Sequence, residues 1–233
     1  MLFRSRRGQP HYGCRGRESG DPYFGSALPA GAAATLSETE KRFFNQLGWA
    51  TSMPGGAAVV NLAPIGQAAV SFQGQGYHDA NWMPVEADKF VDQWYFLNAQ
   101  VGPYNLAAVT ARIKGSTRVF NEGFLEDSGS GTPLQLQCSL EGMKTTDVAK
   151  ITPWGAQVVS GLTVMQGFVV EYTLKSGDVY RFNLTGESLV LDQSVYHRWV
   201  GTVVGGKVGD QQYTGFTMFD WLNPGKNAYS SGV

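Results

Sequence analysis

A chain of 233 residues with a formal net charge of −1 gives no electrostatic case for a nucleic-acid or anionic-membrane partner. Only 16% of its residues are charged while 30 are glycine, a mix that suits many strands joined by tight turns rather than charge-laced helices. No apolar run approaches the roughly 20 residues that span a bilayer, and Cys14 and Cys138 stand far apart, so a cytoplasmic protein without a structural disulfide is expected.

Residues 1–34 read as a disordered leader and linker. The first 20 are rich in Arg and Gly and lack the apolar core that a signal peptide places after its charges. Gly8, Pro10, Gly13 and Gly16 break the amphipathic helix a mitochondrial leader needs. His11 and Cys14 make a single pair, and a zinc site needs a second. Residues 35–56 read as a short helix and a connection. Ser37 and Glu40 form a capping box, Phe43, Phe44 and Leu47 an apolar face, Gly48 a stop, and Met53-Pro-Gly-Gly56 a turn.

From residue 57 to 233 the pattern is strand and turn. Short strands are expected at 57–62 and 68–74, then longer ones at 90–101 and 104–114 around Gly102-Pro103. Further strands follow at 117–125, 134–140, 148–152, 157–163, 167–174, 179–184, 195–204 and 213–221. Ser176-Gly177-Asp178 marks a hairpin, and Gly205-Gly206 joins the last two strands. Strands at this spacing, with little helix, point to an antiparallel barrel or sandwich. The alternation is apolar with aromatic rather than apolar with polar, which favours a barrel of eight to ten strands with a lined interior.

The chemistry-bearing residues gather in QGQGYHDANW, Gln73 to Trp82. As a strand it puts His78, Ala80 and Trp82 on one face and Tyr77, Asp79 and Asn81 on the other. Asp79 beside a phenol and an amide suits either an acid–base group with a perturbed pKa or a structural carboxylate. His78 is either a satisfied core histidine or a ligand contact. A second cluster joins Trp94, Tyr95, Phe96 and Tyr104 with Tyr196, His197, Arg198 and Trp199, the mix a mostly apolar pocket requires. Trp94 and Trp199 also suit core anchors, and Arg198, on a face with Tyr196, suits either Asp79 or a ligand carbonyl. No Gly-x-Ser-x-Gly, phosphate loop, zinc spacing or dinucleotide fingerprint occurs, so no cofactor or metal is expected.

The runs LGWATSMPGGAAVVNL, VSFQGQGYHDANW and QWYFLNAQVGPYNL, with YHRWVGTVVGG and YTGFTMFDW near the end, resemble the fungal lipocalin-like Diels-Alderases of decalin- and cytochalasin-type polyketide biosynthesis. That family is related to carotenoid 1,2-hydratases and kievitone hydratases. The shared pattern is carried by Gly74 to Trp82 and Gly102 to Tyr104, and the likeness covers about residues 45–222. It implies an all-β fold: a lipocalin-like barrel at 57–233, preceded by the short helix and the remnant of a second barrel. The hydratases carry a second His where this chain has Ala80, and acidic and phenolic groups where it reads Leu106-Ala-Ala-Val-Thr110. The resemblance therefore implies an intramolecular Diels–Alder cyclase of fungal secondary metabolism, without cofactor or obligate protein partner, acting on a hydrophobic linear polyene joined to an amino acid. A hydratase or dehydratase, or a non-catalytic carrier of apolar ligands, is the alternative. In the cyclase, Tyr77, Asn81 or Trp82 would donate to the carbonyl of the dienophile and Asp79 would orient them. Trp94 and Trp199 would shape the pocket, with His78, Tyr104, Tyr196 and Arg198 as substrate contacts.

Overall fold

The computed structural model describes residues 2–3, 12–14, 48–83, 85–115, 119–130, 132–140, 148–159, 161–193 and 195–222. The helix expected at 35–48 lies outside them, except Gly48, which opens a strand. Strands β1 (Leu2–Phe3) and β2 (Tyr12–Cys14) pair antiparallel with β3 (Gly48–Leu62), so two segments of the leader are strand rather than coil. β3 pairs along its length with β4 (Val70–Trp82), making a long hairpin. This four-stranded sheet stands where the remnant of a second barrel was expected; among the described residues it is not a barrel.

Both hairpin strands are longer than the sequence suggests. Met53-Pro-Gly-Gly56 lies within β3 instead of turning the chain. Met53 pairs with His78 and Gly56 with Gly76, so Pro54 and Gly55 fall in a bulge, where a residue without an N–H costs no ladder bond.

After a 3-10 turn at Ala87–Lys89 come β5 (Val91–Val101), β6 (Tyr104–Ile113), β7 (Val119–Asp127) and β8 (Thr132–Leu140). Then follow β9 (Val148–Trp154), the small hairpin of β10 (Gln157–Val159) and β11 (Leu162–Val164), β12 (Gly167–Thr173), β13 (Val179–Gln193), β14 (Tyr196–Lys207) and β15 (Tyr213–Leu222). The single strand expected at 157–163 is thus a hairpin that turns near Gly161, whose φ is +80°.

Nine of these strands form one antiparallel sheet in the order β8-β7-β6-β5-β15-β14-β13-β12-β9. It curls until β9 comes close to β6, β7 and β8, which makes it a half-barrel; among the described residues no ladder joins β8 to β9. Gly102 (φ +56°) and Gly177 (φ +91°) turn the hairpins that the sequence marks. Gly205 and Gly206 do not. They sit inside β14, and the chain reverses beyond them, where Asp210 N–H bonds Lys207 O at 3.2 Å. A Cβ on Gly205 would lie 2.3 Å from Arg181 O, so the glycine answers to the close approach of β13.

The concave face is a filled core. Tyr95, Leu97, Phe168, Phe182, Trp199 and Phe219 pack there with little or no exposure. Phe168 meets Phe219 at 5.0 Å and Tyr95 at 5.2 Å, and Phe219 stacks on Trp199 at 5.5 Å. Rings in these offset geometries add to the area they bury. This stretch of the interior is packed with side chains, where the sequence suggests a lined space for a ligand.

The convex face is also buried. Trp94, Phe96, Ala107, Val109 and Phe124 form a second cluster, and Tyr77 of β4 packs against it. The hairpin therefore lies over the back of the sheet. Gln100 Nε2 donates to Gly76 O at 3.1 Å, and Gly55 is so near Asn105 that a Cβ would lie 2.3 Å from its Oδ1. Burial on both faces accounts for the unbroken apolar stretch Trp94 to Leu97 at the centre of β5.

Candidate functional site

Strand pairing lines up the residues of the convex face in rows. Arg198 of β14, Asp220 of β15 and Phe96 of β5 are direct neighbours; one row along stand Tyr196, Leu222 and Trp94. Period-2 alternation puts Tyr196 and Arg198 on this side and sends His197 and Trp199 into the concave core. From above, β4 supplies Tyr77, whose ring lies 5.9 Å from that of Phe96, and Asp79, which accepts from Tyr77 Oη at 3.1 Å.

Asp220 is the centre of this cluster and is 2% exposed. Its Oδ2 accepts from Tyr196 Oη at 2.5 Å and from Arg198 Nη2 at 2.8 Å and Nε at 3.2 Å. Arg198 Nη2 also donates to Tyr196 Oη, and its guanidinium lies 5.4 Å from the Tyr196 ring centroid. Burial pushes the Asp220 carboxyl up to about 6. The donors Tyr196 and Arg198 pull the other way, and the nearby Asp79 carboxylate adds to the rise. Burial and the adjoining carboxylate hold the Tyr196 phenol far above its ordinary range.

The arrangement brings together Tyr77, Asp79, Trp94, Tyr196 and Arg198 of the residues singled out in the sequence. His78 and Asn81 are exposed on β4, and the side chain of Trp82 lies outside those described. Tyr104 and Trp199 sit on the other face of the sheet. Tyr104 packs edge-on against Tyr180, Phe182 and Tyr213, and Trp199 stacks in the core, so neither shares a face with the cluster. Asp220 escapes the sequence reading. Its signal is one charge in FTMFDWL, alternating with Met218 and Leu222 on a strand that sends Phe219 and Trp221 into the core.

Among the described residues no three His, Cys, Asp or Glu side chains gather as metal ligands, and no helix is long and apolar enough to cross a membrane. What the cluster supplies is a buried, hydrogen-bonded carboxyl that burial pushes up to about 6, beside the aromatic rings of Trp94 and Phe96.

Fold and cluster define an all-β half-barrel protein with an acid–phenol–guanidinium group under a covering hairpin. The chain belongs to the Diels-Alderase-like family, whose pattern matches residues 22–223. It is similar to the quinolone epoxide rearrangement protein penF of Penicillium thymicola, 27% identical over 175 residues, which are 73% of this chain and 46% of the relative. It is also similar to the quinolone epoxide rearrangement protein asqO of Emericella nidulans, 25% identical over 160 residues, 67% of this chain and 41% of that one. The chain thus spans less than half the length of these two relatives. Among solved structures, CghA with Sch210972 superposes with a TM-score of 0.62 at 18% identity, covering 84% of this chain and 58% of that one. Kievitone hydratase from Nectria haematococca gives 0.52 at 9% identity, covering 76% and 53%. These likenesses are of fold.

Proposed function

We propose that the chain acts in a cofactor-free isomerase that binds an apolar secondary metabolite and activates one of its oxygen atoms with the proton of Asp220, as in the rearrangement of an epoxide. The observation that carries this reading is the buried Asp220 carboxyl, held through Oδ2 by Tyr196 and Arg198 and pushed up to about 6 by that burial. A carboxylic acid held neutral close to working pH can protonate an epoxide oxygen as the C–O bond breaks. A group then migrates to the electron-deficient carbon, and the protonated carbonyl that results returns its proton to Asp220. Atoms balance, and water takes no part. Tyr196 and Arg198 fix the carboxyl through Oδ2, while Trp94 and Phe96 offer apolar walls whose π faces favour developing positive charge.

A second reading keeps the intramolecular Diels–Alder cyclisation of a polyene, in which donors on this face polarise a carbonyl conjugated with the dienophile. Ala107 and Val109, buried and apolar beside Phe96, support it by offering shape without proton transfer. The motif around Tyr77 to Trp82 supports it as well.

The test is to incubate the purified chain with a quinolone epoxide, and separately with a linear polyenoyl tetramic acid, across pH 4.5–8 in 18O-labelled water. Epoxide isomerisation without net addition of water is expected, with kcat/KM falling as pH rises through about 6. Asp220→Asn should lower kcat by about 10²–10⁴-fold. A pH-independent change in the diastereomer ratio of the cyclised polyene, with the epoxide untouched, would favour the second reading. A product heavier than the epoxide or polyene by one water would mean hydration and overturn both.

A further inference from the structure

Asp220 and Asn98 each keep a buried polar atom that no other group meets. Asp220 gives Oδ2 to Tyr196 and Arg198, and its Oδ1 has no partner. Asn98, 7% exposed, leaves Nδ2 without an acceptor. Both lie on the convex face: Asn98 pairs across the β5–β15 seam with Met218, and Asp220 with Phe96. They are therefore diagonal neighbours, with Cβ atoms roughly 7 Å apart or less. Two hydrogen bonds of ordinary length meeting at one atom fit that span. Gln100 Oε1 is unmet too, but it is an acceptor, and the amide nitrogen of Gln100 already serves Gly76 O.

We propose that Asn98 is a second catalytic donor, its Nδ2–H and the Oδ1–H of Asp220 converging on one neutral oxygen of the substrate, an epoxide or a carbonyl. This rests on the reading of Asp220 as an acid. As the C–O bond stretches, or as a carbonyl is polarised, that oxygen gains negative charge, and a fixed pair of donors favours the stretched state over the ground state. The ligand class follows from the charges around the pair. Asp79 lies close enough to raise the Asp220 carboxyl, and the Arg198 guanidinium is already engaged by Asp220 Oδ2 and Tyr196 Oη, so the two charges beside the pair offset one another and the site suits a neutral acceptor over a carboxylate. Half-buried Tyr77, Asp79, Tyr196 and Arg198 rim the pair, and the amide of Asn98 does not titrate.

Binding without turnover tests this separately from the reaction. The probes are 1-tetralone, tetralin and 1-naphthoate: one bicyclic frame with a neutral carbonyl, with no oxygen, and with an anion. Titrated into the whole chain at pH 5, 1-tetralone should bind about tenfold more tightly than tetralin, the effect of added hydrogen bonds, and 1-naphthoate more weakly than 1-tetralone. Its carbonyl stretch should fall in frequency on binding. Asn98→Leu, similar in volume, should remove most of the tetralone advantage and part of the frequency shift while leaving tetralin unchanged; thermal melting checks that the variant is folded. Equal affinity for tetralone and tetralin on the unaltered chain, or no saturable binding of either, would overturn the proposal without recourse to any variant. Asn98→Leu that keeps the tetralone preference would overturn it too. So would full-rate epoxide rearrangement by Asn98→Leu, a result that leaves the role of Asp220 standing.

Discussion

Beyond its proposed chemistry, Asp220 carries a stability signature. Its folded pKa of about 6 lies above its ordinary value of 3.8, so between those limits the folded chain holds a proton that the unfolded chain has released. Stability from this group is therefore full below about pH 4, falls as pH rises to about 6, and is level beyond, a loss on the order of 3 kcal/mol. Asp220→Asn has no such titration. Its melting temperature relative to wild type should climb between pH 4 and 6 and then hold constant in matched-buffer calorimetry; a difference that falls over that range would mean a depressed pKa. The partners of Asp220 were half legible. Alternation alone joins Tyr77 to Asp79 and Tyr196 to Arg198, and both pairs share the faces it assigns. The pocket grouping of Trp199 with Arg198 overlooks that alternation, and the structure places Trp199 in the core stack with Phe219 instead. Asp220 was hidden because an outward acid on a solvent face and one roofed by another layer look alike in sequence. The roof here comes from β4, far earlier in the chain.

At the level of elements, strand positions were easier to read than strand ends. Turns set by a positive φ, at Gly102 and Gly177, announce themselves in sequence. Glycines present for close packing use the same letter and mislead. Gly205 was read as a connection, yet it lies against the β13 backbone, 2.6 Å from Phe182 Cα as judged from an added Cβ. Gly205→Ala should cost roughly 1–3 kcal/mol by forcing β13 and β14 apart. For a chain of this size that is a drop of about 3–10 °C in melting temperature. If Gly205 were only a turn residue, the change would be near zero. Pro54 misled in a similar way: a proline argues against a central strand, and only the bulge opposite His78 and Gly76 makes room for it.

Across the whole molecule, strong strand periodicity and few helical signals made the all-β class legible. The half-barrel was not, because curl depends on pairings between distant strands. The two buried faces do not contribute alike. Phe219, fully buried between Phe168 and Trp199, anchors the concave core. Phe219→Ala should cost about 3–5 kcal/mol, which chemical denaturation will register as a lower midpoint. The strand order also has a consequence in time. β15, the last of the described strands in chain order, does not sit at an edge; it slots between β5 and β14 and joins the two halves of the sheet. During synthesis, then, both flanking strands wait with open edges until β15 emerges. Because β15 carries Asp220, its carboxyl is absent from any nascent chain that has not yet reached that strand. It enters only as the sheet is sealed, already enclosed by Tyr196, Arg198 and the aromatic rings beside it.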